Sequence, residues 1–211
     1  MESIFKILVI AALCISTAAM TAVILKNFSF GKRPLFAASK ADPKKGVAYA
    51  FGQGMMPWEK ESAKKHIPTY ITGFVYHFGI FAGFFYLILR IFTIPFGALV
   101  LIPLKILILI GLVSGLGLFV KRASLKYMRK ISCPDDFLSN LLVDLFLIFS
   151  LVDLYFPNFR ALYYLIASFL LLYIPIGKIR HCFFFFYSRI LFGRFFGRRG
   201  VYPRAQHQYK G

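Results

Sequence analysis

The chain has 211 residues, 59% of them hydrophobic, and a formal net charge of +18 at pH 7. Soluble domains are about 45–50% apolar, and several stretches here reach the roughly 20 apolar residues that a helix needs to cross the membrane. These runs leave too little chain for a large soluble domain. Its cysteines, Cys14, Cys133 and Cys182, form no CxxC or CxxCH motif, which argues against an iron–sulfur cluster, a zinc site or covalently bound haem within the chain.

The first apolar run covers residues 4–25 and predicts a membrane-spanning helix. A cleaved signal peptide is the competing interpretation, because small residues precede Met20. The run is long for a signal sequence and has little positive charge before it, so we favour a retained helix. Residues 26–69 are polar and basic, and Pro43 and Pro57 break any long helix there, which predicts a loop. The loop cations include Lys32, Arg33, Lys44, Lys45, Lys64 and Lys65.

The second and third spans form a predicted hairpin. The second runs from about residue 70 to residue 91, just after Pro68, which suits a first helical turn. The third covers residues 97–120 and contains Pro103 and Lys105. Only the sequence TIPF joins the two spans, and Arg90 is the charge nearest to the tip.

A second basic segment, residues 121–136, ends in the sequence SCPDD. These residues predict a helix start, because aspartates suit the positive end of the helix dipole. The fourth span is predicted at 137–155, and after an FPNF turn the fifth is predicted at 160–188. The chain ends in a basic tail, residues 189–211, with the cations Arg189, Arg194, Arg198, Arg199, Arg204 and Lys210.

Lysine and arginine concentrate in the loop 26–69, the segment 121–136 and the tail, which all fall on one side of a five-span arrangement. Cytoplasmic loops of membrane proteins are rich in these residues, so the pattern predicts an outside N-terminus and a cytoplasmic C-terminus. We therefore predict an all-α fold, an integral membrane bundle of five transmembrane helices, with residues 1–211 as a single membrane domain. Nucleic acid, anionic lipid or an acidic protein partner also suits a basic chain, and the topological cause is preferred.

Two histidines lie inside predicted spans, where polar groups are costly. His77 lies roughly 12 Å from the start of its helix, and His181 lies at a similar depth when residues are counted back from Arg189. Two imidazoles at matched depth on different helices predict the axial ligands of one haem iron. The alternative is that each histidine hydrogen-bonds to a neighbouring helix, and the residues alone support both interpretations about equally.

Two axial imidazoles leave a haem iron with no open position, so such an iron transfers electrons rather than binding oxygen. Lys178 and Arg180 lie within a turn of His181 and are predicted to contact the haem propionates. Small residues beside His77 are expected to let a flat porphyrin approach the helix backbone; they are Gly73, Gly79, Ala82 and Gly83.

The other polar residues carry weaker signals. His66 and His207 lie in basic stretches and are interpreted as surface groups, although His66 shares a helical face with His77, as paired ligands of two stacked haems would. Three charges near or inside spans are interpreted as snorkelling or as hydrogen-bonding between helices, with proton transfer or quinone contact less favoured; they are Lys105, Asp144 and Asp153. The loop residues Met55, Met56, Trp58 and Glu59 suit docking onto a partner or a membrane surface.

The chain resembles the gamma subunit of respiratory nitrate reductase and the cytochrome b subunit of membrane-bound heterodisulfide reductase. Over most of its length it shows five predicted spans, HFGIF early in the second, PDD before the fourth and a histidine late in the fifth. The resemblance implies a cytochrome b of the prokaryotic cytoplasmic membrane that exchanges electrons between a quinone and a cytoplasmic iron–sulfur partner.

The residue-by-residue match departs from the family's pattern of two histidine pairs. His77 matches the first histidine of one pair, but Leu87 stands ten residues later; His181 matches the last of the other pair, but Tyr163 stands eighteen residues earlier. The missing ligands belong to the same haem, the one distal from the partner. The resemblance therefore implies one haem b instead of two, and it puts the quinone site beside the distal haem in doubt. The small size and the loop FGQGMMPWEKESAKKH resemble the heterodisulfide-reductase branch.

We therefore expect a haem b membrane anchor subunit that passes electrons between menaquinone and an iron–sulfur subunit at the basic cytoplasmic face. Substrate chemistry is expected in the partner, so the chain has no complete active site of its own. The alternative is a cofactor-free membrane scaffold or assembly protein that recruits an acidic partner or anionic lipid through its basic face. A small transporter using Lys105 and Asp144 is less favoured, because no internal repeat is visible. Nucleic-acid binding is weaker still, because the tail aromatics suit an interfacial helix equally well.

Overall fold

The computed structural model describes residues 2–30 and 37–203, and within these residues the protein is helical without strands. The predicted basic residues of the loop and tail that lie outside the described residues, together with one histidine, are Lys32, Arg33, Arg204, His207 and Lys210. The described helices are α1 (Glu2–Ser29), α2 (Pro43–Phe51), α3 (Glu61–Lys65), α4 (Ile67–Ile91), α5 (Ala98–Ser124), α6 (Lys126–Ile131), α7 (Pro134–Tyr155), α8 (Arg160–Tyr173) and α9 (His181–Gly197). Short 3-10 helices lie at Gln53–Met55, Pro57–Glu59, Pro157–Phe159 and Lys178–Arg180.

Four of the described helices, α1, α4, α5 and α7, are long and apolar enough to cross a membrane, and α8 with α9 makes a fifth candidate if the interrupted pair counts as one span. The predicted all-α class is therefore confirmed, with four or five helices of the required length. The segment between the first two long helices is shorter than the predicted loop 26–69, because α1 and α4 extend into it. It is also partly helical, since α2 and α3 lie within it. The helix α9 also continues past residue 188, where the fifth span was predicted to end, to Gly197.

Contacts divide the chain into two compact units. Unit 1 comprises Met1–Leu25 and Pro68–Arg180, and unit 2 comprises Lys26–Ile67 and His181–Gly211. Unit 2 thus joins the predicted basic loop to the end of the chain. The division falls inside the predicted fifth span, between Arg180 and His181.

In unit 1 the helices bury narrow stripes and expose apolar surface around them. The buried residues of α1 recur every three to four positions, at Val9, Ala12, Ser16 and Met20, while large apolar side chains such as Leu99 and Val113 are exposed on α5. Lipid tails are as apolar as leucine, so packing and hydrogen bonds, rather than the hydrophobic effect, hold such helices together. The exposed apolar surface suits a lipid surround.

The α4–α5 contact depends on two glycines. A Cβ atom added to Gly79 would lie 2.5 Å from the Cα atom of Gly111, and the reverse distance is the same. The two backbones therefore approach more closely than side chains permit, as small residues allow in membrane helix pairs. Further along α4, a Cβ atom at Gly83 would lie 2.9 Å from the ring of Phe146 on α7.

The start of α7 is the predicted one. Pro134 occupies the first turn, and the Asp136 carboxylate accepts a 2.9 Å hydrogen bond from the backbone N–H of Cys133. This reciprocal cap satisfies a donor that the helix itself cannot. The helix start predicted from SCPDD is confirmed.

Unit 2 is built on the packing of α2 along α9. Asp42 caps α2 by accepting a 2.8 Å hydrogen bond from the backbone N–H of Lys44. A Cβ atom added to Gly193 would lie 2.5 Å from the Cα atom of Val47, so α2 and α9 also meet backbone to backbone. Stacking of Tyr49 in α2 on Tyr202, with ring centroids 4.8 Å apart, extends the contact past the C-terminal end of α9.

Candidate functional site

His77 lies on an exposed face of α4, with its imidazole held by the helix backbone. Its Nδ1 atom lies 2.6 Å from the carbonyl oxygen of Gly73, one turn earlier. When Nδ1 donates this bond, the lone pair is on Nε2, which is the nitrogen that would bind a metal. A backbone carbonyl that fixes the tautomer in this way is the usual support of a ligating histidine.

The small residues around His77 divide into two groups. Gly73 faces open space, because no atom lies within 4 Å of the position where its Cβ would be. The space beside Gly79 is instead occupied by Gly111, and the space beside Gly83 by Phe146. Ala82 is buried. The expectation that all four residues flank a porphyrin is corrected, since three of them serve helix packing and Gly73 alone among them is open.

His181 is the first residue of α9, and its side chain is exposed. The predicted fifth span is not one continuous helix, because α8 ends at Tyr173 and residues 174–177 form a turn. Pro175 and Gly177 in the sequence IPIG are the signal for this break, since neither favours a helix interior. The depth predicted for His181 assumed an unbroken helix, and its position at a helix start follows from the break.

The two predicted propionate contacts have different surroundings. The Lys178 ammonium lies 2.8 Å from the Asp136 carboxylate, and the Lys178 backbone N–H donates a 3.0 Å hydrogen bond to Asp135. Lys178 is thereby tied to the start of α7. Arg180 is exposed at the end of a 3-10 helix, next to His181 in the chain.

His77 belongs to unit 1 and His181 to unit 2, so their pairing on one iron stays a prediction. Within residues 2–30 and 37–203, no three His, Cys, Asp or Glu side chains gather as a metal site. A haem iron needs only two imidazole ligands from the protein, which is fewer than such a cluster contains. His66 is likewise exposed, directly after α3, in agreement with its interpretation as a surface group.

A buried polar cluster joins α4 to α7 beside His77, and the sequence indicated Asp144 alone among its members. The Tyr76 hydroxyl donates a 2.8 Å hydrogen bond to Asp144, and the Asn140 amide donates one of 2.9 Å to the other carboxylate oxygen. The three side chains are each 9% exposed or less. Asn140 and Asp144 are four residues apart on α7, which is the spacing that could have indicated a shared face.

A second polar cluster surrounds Asp153, which is fully buried on α7. Its carboxylate lies 3.3 Å from Nε of Arg90 on α4 and 3.1 Å from Nε of Arg160 on α8. The Tyr86 hydroxyl also donates a hydrogen bond to it. The Arg160 guanidinium also forms an ion pair with Glu2 on α1, at 3.2 Å. The interpretation of Asp144 and Asp153 as hydrogen-bonding groups between helices is confirmed.

Lys105 projects from α5 onto an aromatic ring. Its Nζ atom lies 3.9 Å from the centroid of the Tyr155 ring, at the end of α7. A cation over an aromatic face is stabilised by the ring quadrupole. This contact gives a lysine in an apolar helix a favourable partner.

Unit 2 is strongly basic. Burial, and to a smaller extent the Arg189 guanidinium, lower the pKa of Lys60. Trp58 is 63% exposed and Met56 is 39% exposed, so an apolar patch adjoins these charges in the chain. Glu59 is held by the Tyr49 hydroxyl at 2.8 Å. The described cations of unit 2 are Lys26, Lys40, Lys44, Lys45, Lys60, Lys64, Lys65, Arg189, Arg194, Arg198 and Arg199, against the acids Asp42, Glu59 and Glu61.

Over residues 2–30 and 37–203 the fold is all-helical, with four or five helices able to cross a membrane, which is compatible with a multi-pass membrane protein. No protein-family model, curated protein or solved structure matches the chain. A particular function for it therefore rests on the residues described above.

Proposed function

We propose that this protein is a haem b-containing membrane subunit that carries electrons between menaquinone and an iron–sulfur partner, with His77 and His181 as the axial ligands. The observation that carries the proposal is the His77 imidazole, which is exposed on an apolar helix and bound through Nδ1 to the Gly73 carbonyl at 2.6 Å. This arrangement directs the lone pair to Nε2, as an iron ligand requires. The open space beside Gly73 leaves room for a flat macrocycle against the helix.

Burial at two positions favours one haem over two. Leu87 and Tyr163, which stand where the resembling family has its distal ligands, are 2% and 0% exposed. The Tyr163 ring packs against Phe146 and Tyr86, at centroid distances of 6.0 Å and 5.5 Å. Packed side chains occupy the surroundings of Tyr163, so we infer that a second macrocycle is absent there.

The basic surface of unit 2 supports a partner of opposite charge. Positive patches steer acidic partners and set the orientation of docking, and the exposed Trp58 and Met56 supply the apolar contact that interfaces need at their centre. We propose that the iron–sulfur subunit binds here. When haem is bound, it supplies reversible one-electron transfer, and the chain's residues hold it and shield it from water.

The test is an optical and redox characterisation of the full-length protein purified from membranes of cells supplied with a haem precursor. We expect a b-type reduced-minus-oxidised spectrum with about one haem per chain. His77→Ala and His181→Ala each remove one of the two axial ligands and are expected to abolish this spectrum or convert it to a high-spin form.

His66→Ala is the matched control, because it removes an exposed histidine of unit 2 and is expected to leave the spectrum unchanged. Retention of the low-spin spectrum in either His77→Ala or His181→Ala would remove that residue from the ligand set. A wild-type protein without visible absorbance would end the cytochrome proposal.

The alternative is a cofactor-free scaffold that recruits an acidic protein partner, and the charge of unit 2 favours it. The close backbone contact between Gly193 and Val47 packs α2 tightly against α9, and both helices carry part of that charge. This function predicts partner binding that falls with increasing salt and no haem. Measuring both the spectrum and the salt dependence separates the two proposals.

A further inference from the structure

An apolar groove lies where α5 ends and α7 begins, within unit 1. It is shallow and open to its surroundings, has a volume of about 570 Å³ and is lined by Phe119, Ser132, Pro134, Phe137, Leu138 and Leu141. The rings of two of these lining residues, Phe119 and Phe137, meet edge to face with centroids 6.1 Å apart. Apart from Ser132, the lining offers only apolar side chains and a proline, so the groove fits hydrocarbon rather than a polar ligand.

The helix α6 joins the two helices that line this groove, and the groove residue Ser132 follows it directly in the chain. Extended residues, Leu125 before it and Ser132 after it, turn the chain away from α5 and into α7. Tyr127 is 57% exposed and Ile131 is 78% exposed. A short helix between two spanning helices, with an aromatic and an aliphatic side chain exposed, is suited to the membrane–water interface.

The charges around the groove leave a local positive excess on α6. The nearest acids have partners: Asp136 binds Lys178 at 2.8 Å and lies 3.9 Å from Arg122, while Asp135 accepts hydrogen bonds from Tyr173 and from the Lys178 backbone. The cations of α6, by contrast, are all exposed; they are Lys126, Arg129 and Lys130. An anion beside α6 would therefore meet net positive charge.

We propose that this groove is a binding site for one anionic phospholipid, with its acyl chains against Phe119, Phe137 and Leu138 and its phosphate at the α6 cations. The apolar walls match the acyl chains of such a lipid, and the positive charge at the membrane–water interface matches its phosphate. The site is independent of haem, so it stands or falls separately from the cytochrome proposal.

The test is native mass spectrometry of the full-length protein in detergent with equal amounts of dioleoyl phosphatidylglycerol and dioleoyl phosphatidylcholine. We expect the wild-type protein to retain one phosphatidylglycerol with about a tenfold preference, since each basic residue near an anionic headgroup favours binding. The variant with Lys126→Gln, Arg129→Gln and Lys130→Gln is expected to lose the preference. Equal retention of the two lipids by the wild-type protein would overturn the proposal.

The matched control removes the same charge elsewhere, through Lys44→Gln, Lys64→Gln and Lys65→Gln in unit 2, where all three side chains are exposed. We expect this variant to keep the lipid preference. An equal loss in the control would attribute the preference to overall charge and overturn the site.

The groove itself is tested by Leu138→Trp, which fills it from a side chain that is 45% exposed and therefore tolerates enlargement. We expect several-fold weaker lipid retention, while Leu162→Trp on α8, which is 36% exposed, has no effect. Unchanged retention in Leu138→Trp would show that the acyl chains lie elsewhere.

A competition on the wild-type protein avoids any folding defect of the variants. Glycerol phosphate and inorganic phosphate carry the anion without acyl chains, so neither is expected to displace bound phosphatidylglycerol at equal concentration. Displacement by either would indicate a phosphate site that does not need the groove, and would overturn the lipid assignment.

Discussion

Asp153 illustrates how one carboxylate is accommodated inside a helical bundle. Arg90 and Arg160 approach its two oxygens from different helices, and Tyr86 donates a further hydrogen bond. A buried charge is tolerated when it is paired and hydrogen-bonded. Asp144 has a different environment, because its contacts with Tyr76 and Asn140 are to neutral groups.

We predict that Asp153→Asn strongly destabilises the protein, because two guanidinium groups then lose their buried counter-charge. Breaking a buried pair costs about 3–5 kcal/mol. The measurement is the unfolding free energy in detergent micelles from a denaturant titration.

Glu2→Gln is the control for this prediction, because Glu2 binds the same Arg160 but its side chain is 58% exposed. Loss of the Glu2–Arg160 ion pair is expected to lower the free energy of unfolding by less than about 1 kcal/mol. Equal destabilisation by the two variants would contradict the assignment of Asp153 as the centre of the cluster.

At the scale of elements, the α4–α5 pair positions the helix that carries His77. The backbones meet at Gly79 and Gly111, so the α4–α5 distance is set by the absence of two Cβ atoms. The helix break before α9 is set in a different way, by Pro175 and Gly177. A Cβ atom at Gly177 would collide with the Tyr173 ring, which folds back over the turn.

We predict that Gly111→Ala separates α4 from α5 and lowers the stability by about 1–3 kcal/mol, as overpacking does. Gly117→Ala in the same helix is the control, because no atom lies within 4 Å of the new Cβ atom. It is expected to be neutral or to stabilise α5 by up to about 1 kcal/mol through helix propensity.

Thermal unfolding in detergent distinguishes the two glycine variants. A midpoint for Gly111→Ala equal to that of Gly117→Ala would mean that the close approach does not constrain the pair.

At the scale of the whole molecule, the number of crossings decides on which sides of the membrane the two termini lie. Four crossings place both termini on one side, and five place them on opposite sides. Helices α1, α4, α5 and α7 each meet the length requirement alone, whereas α8 and α9 meet it only together. The concentration of lysine and arginine in the loops on one side predicts five crossings.

We predict that a C-terminal green fluorescent protein fusion fluoresces in bacteria, because this reporter folds only in the cytoplasm, and that a C-terminal alkaline phosphatase fusion is inactive. Phosphatase fused at residue 94, in the α4–α5 turn, is expected to be active and serves as the control. An active C-terminal phosphatase fusion would show that α8 and α9 do not form one crossing.

The sequence by itself determined the all-helical class, the apolar runs that become the membrane-length helices α1, α4, α5 and α7, and the start of α7. These are local properties, since helix length, hydropathy and caps depend on neighbouring residues alone. It also singled out Asp144 and Asp153 as groups in need of partners, because an unpaired charge is costly in any apolar surround.

Only the tertiary structure decided which partners these groups have and which small residues are available. Tyr76 and Asp144 are 68 residues apart and Arg90 and Asp153 are 63 residues apart in the chain, so no local pattern joins them. Gly73 and Gly79 look alike in the sequence, yet one is open and the other lies against Gly111. Such differences depend on the neighbouring helix, whose distance and rotation are set by the packing of side chains remote in sequence.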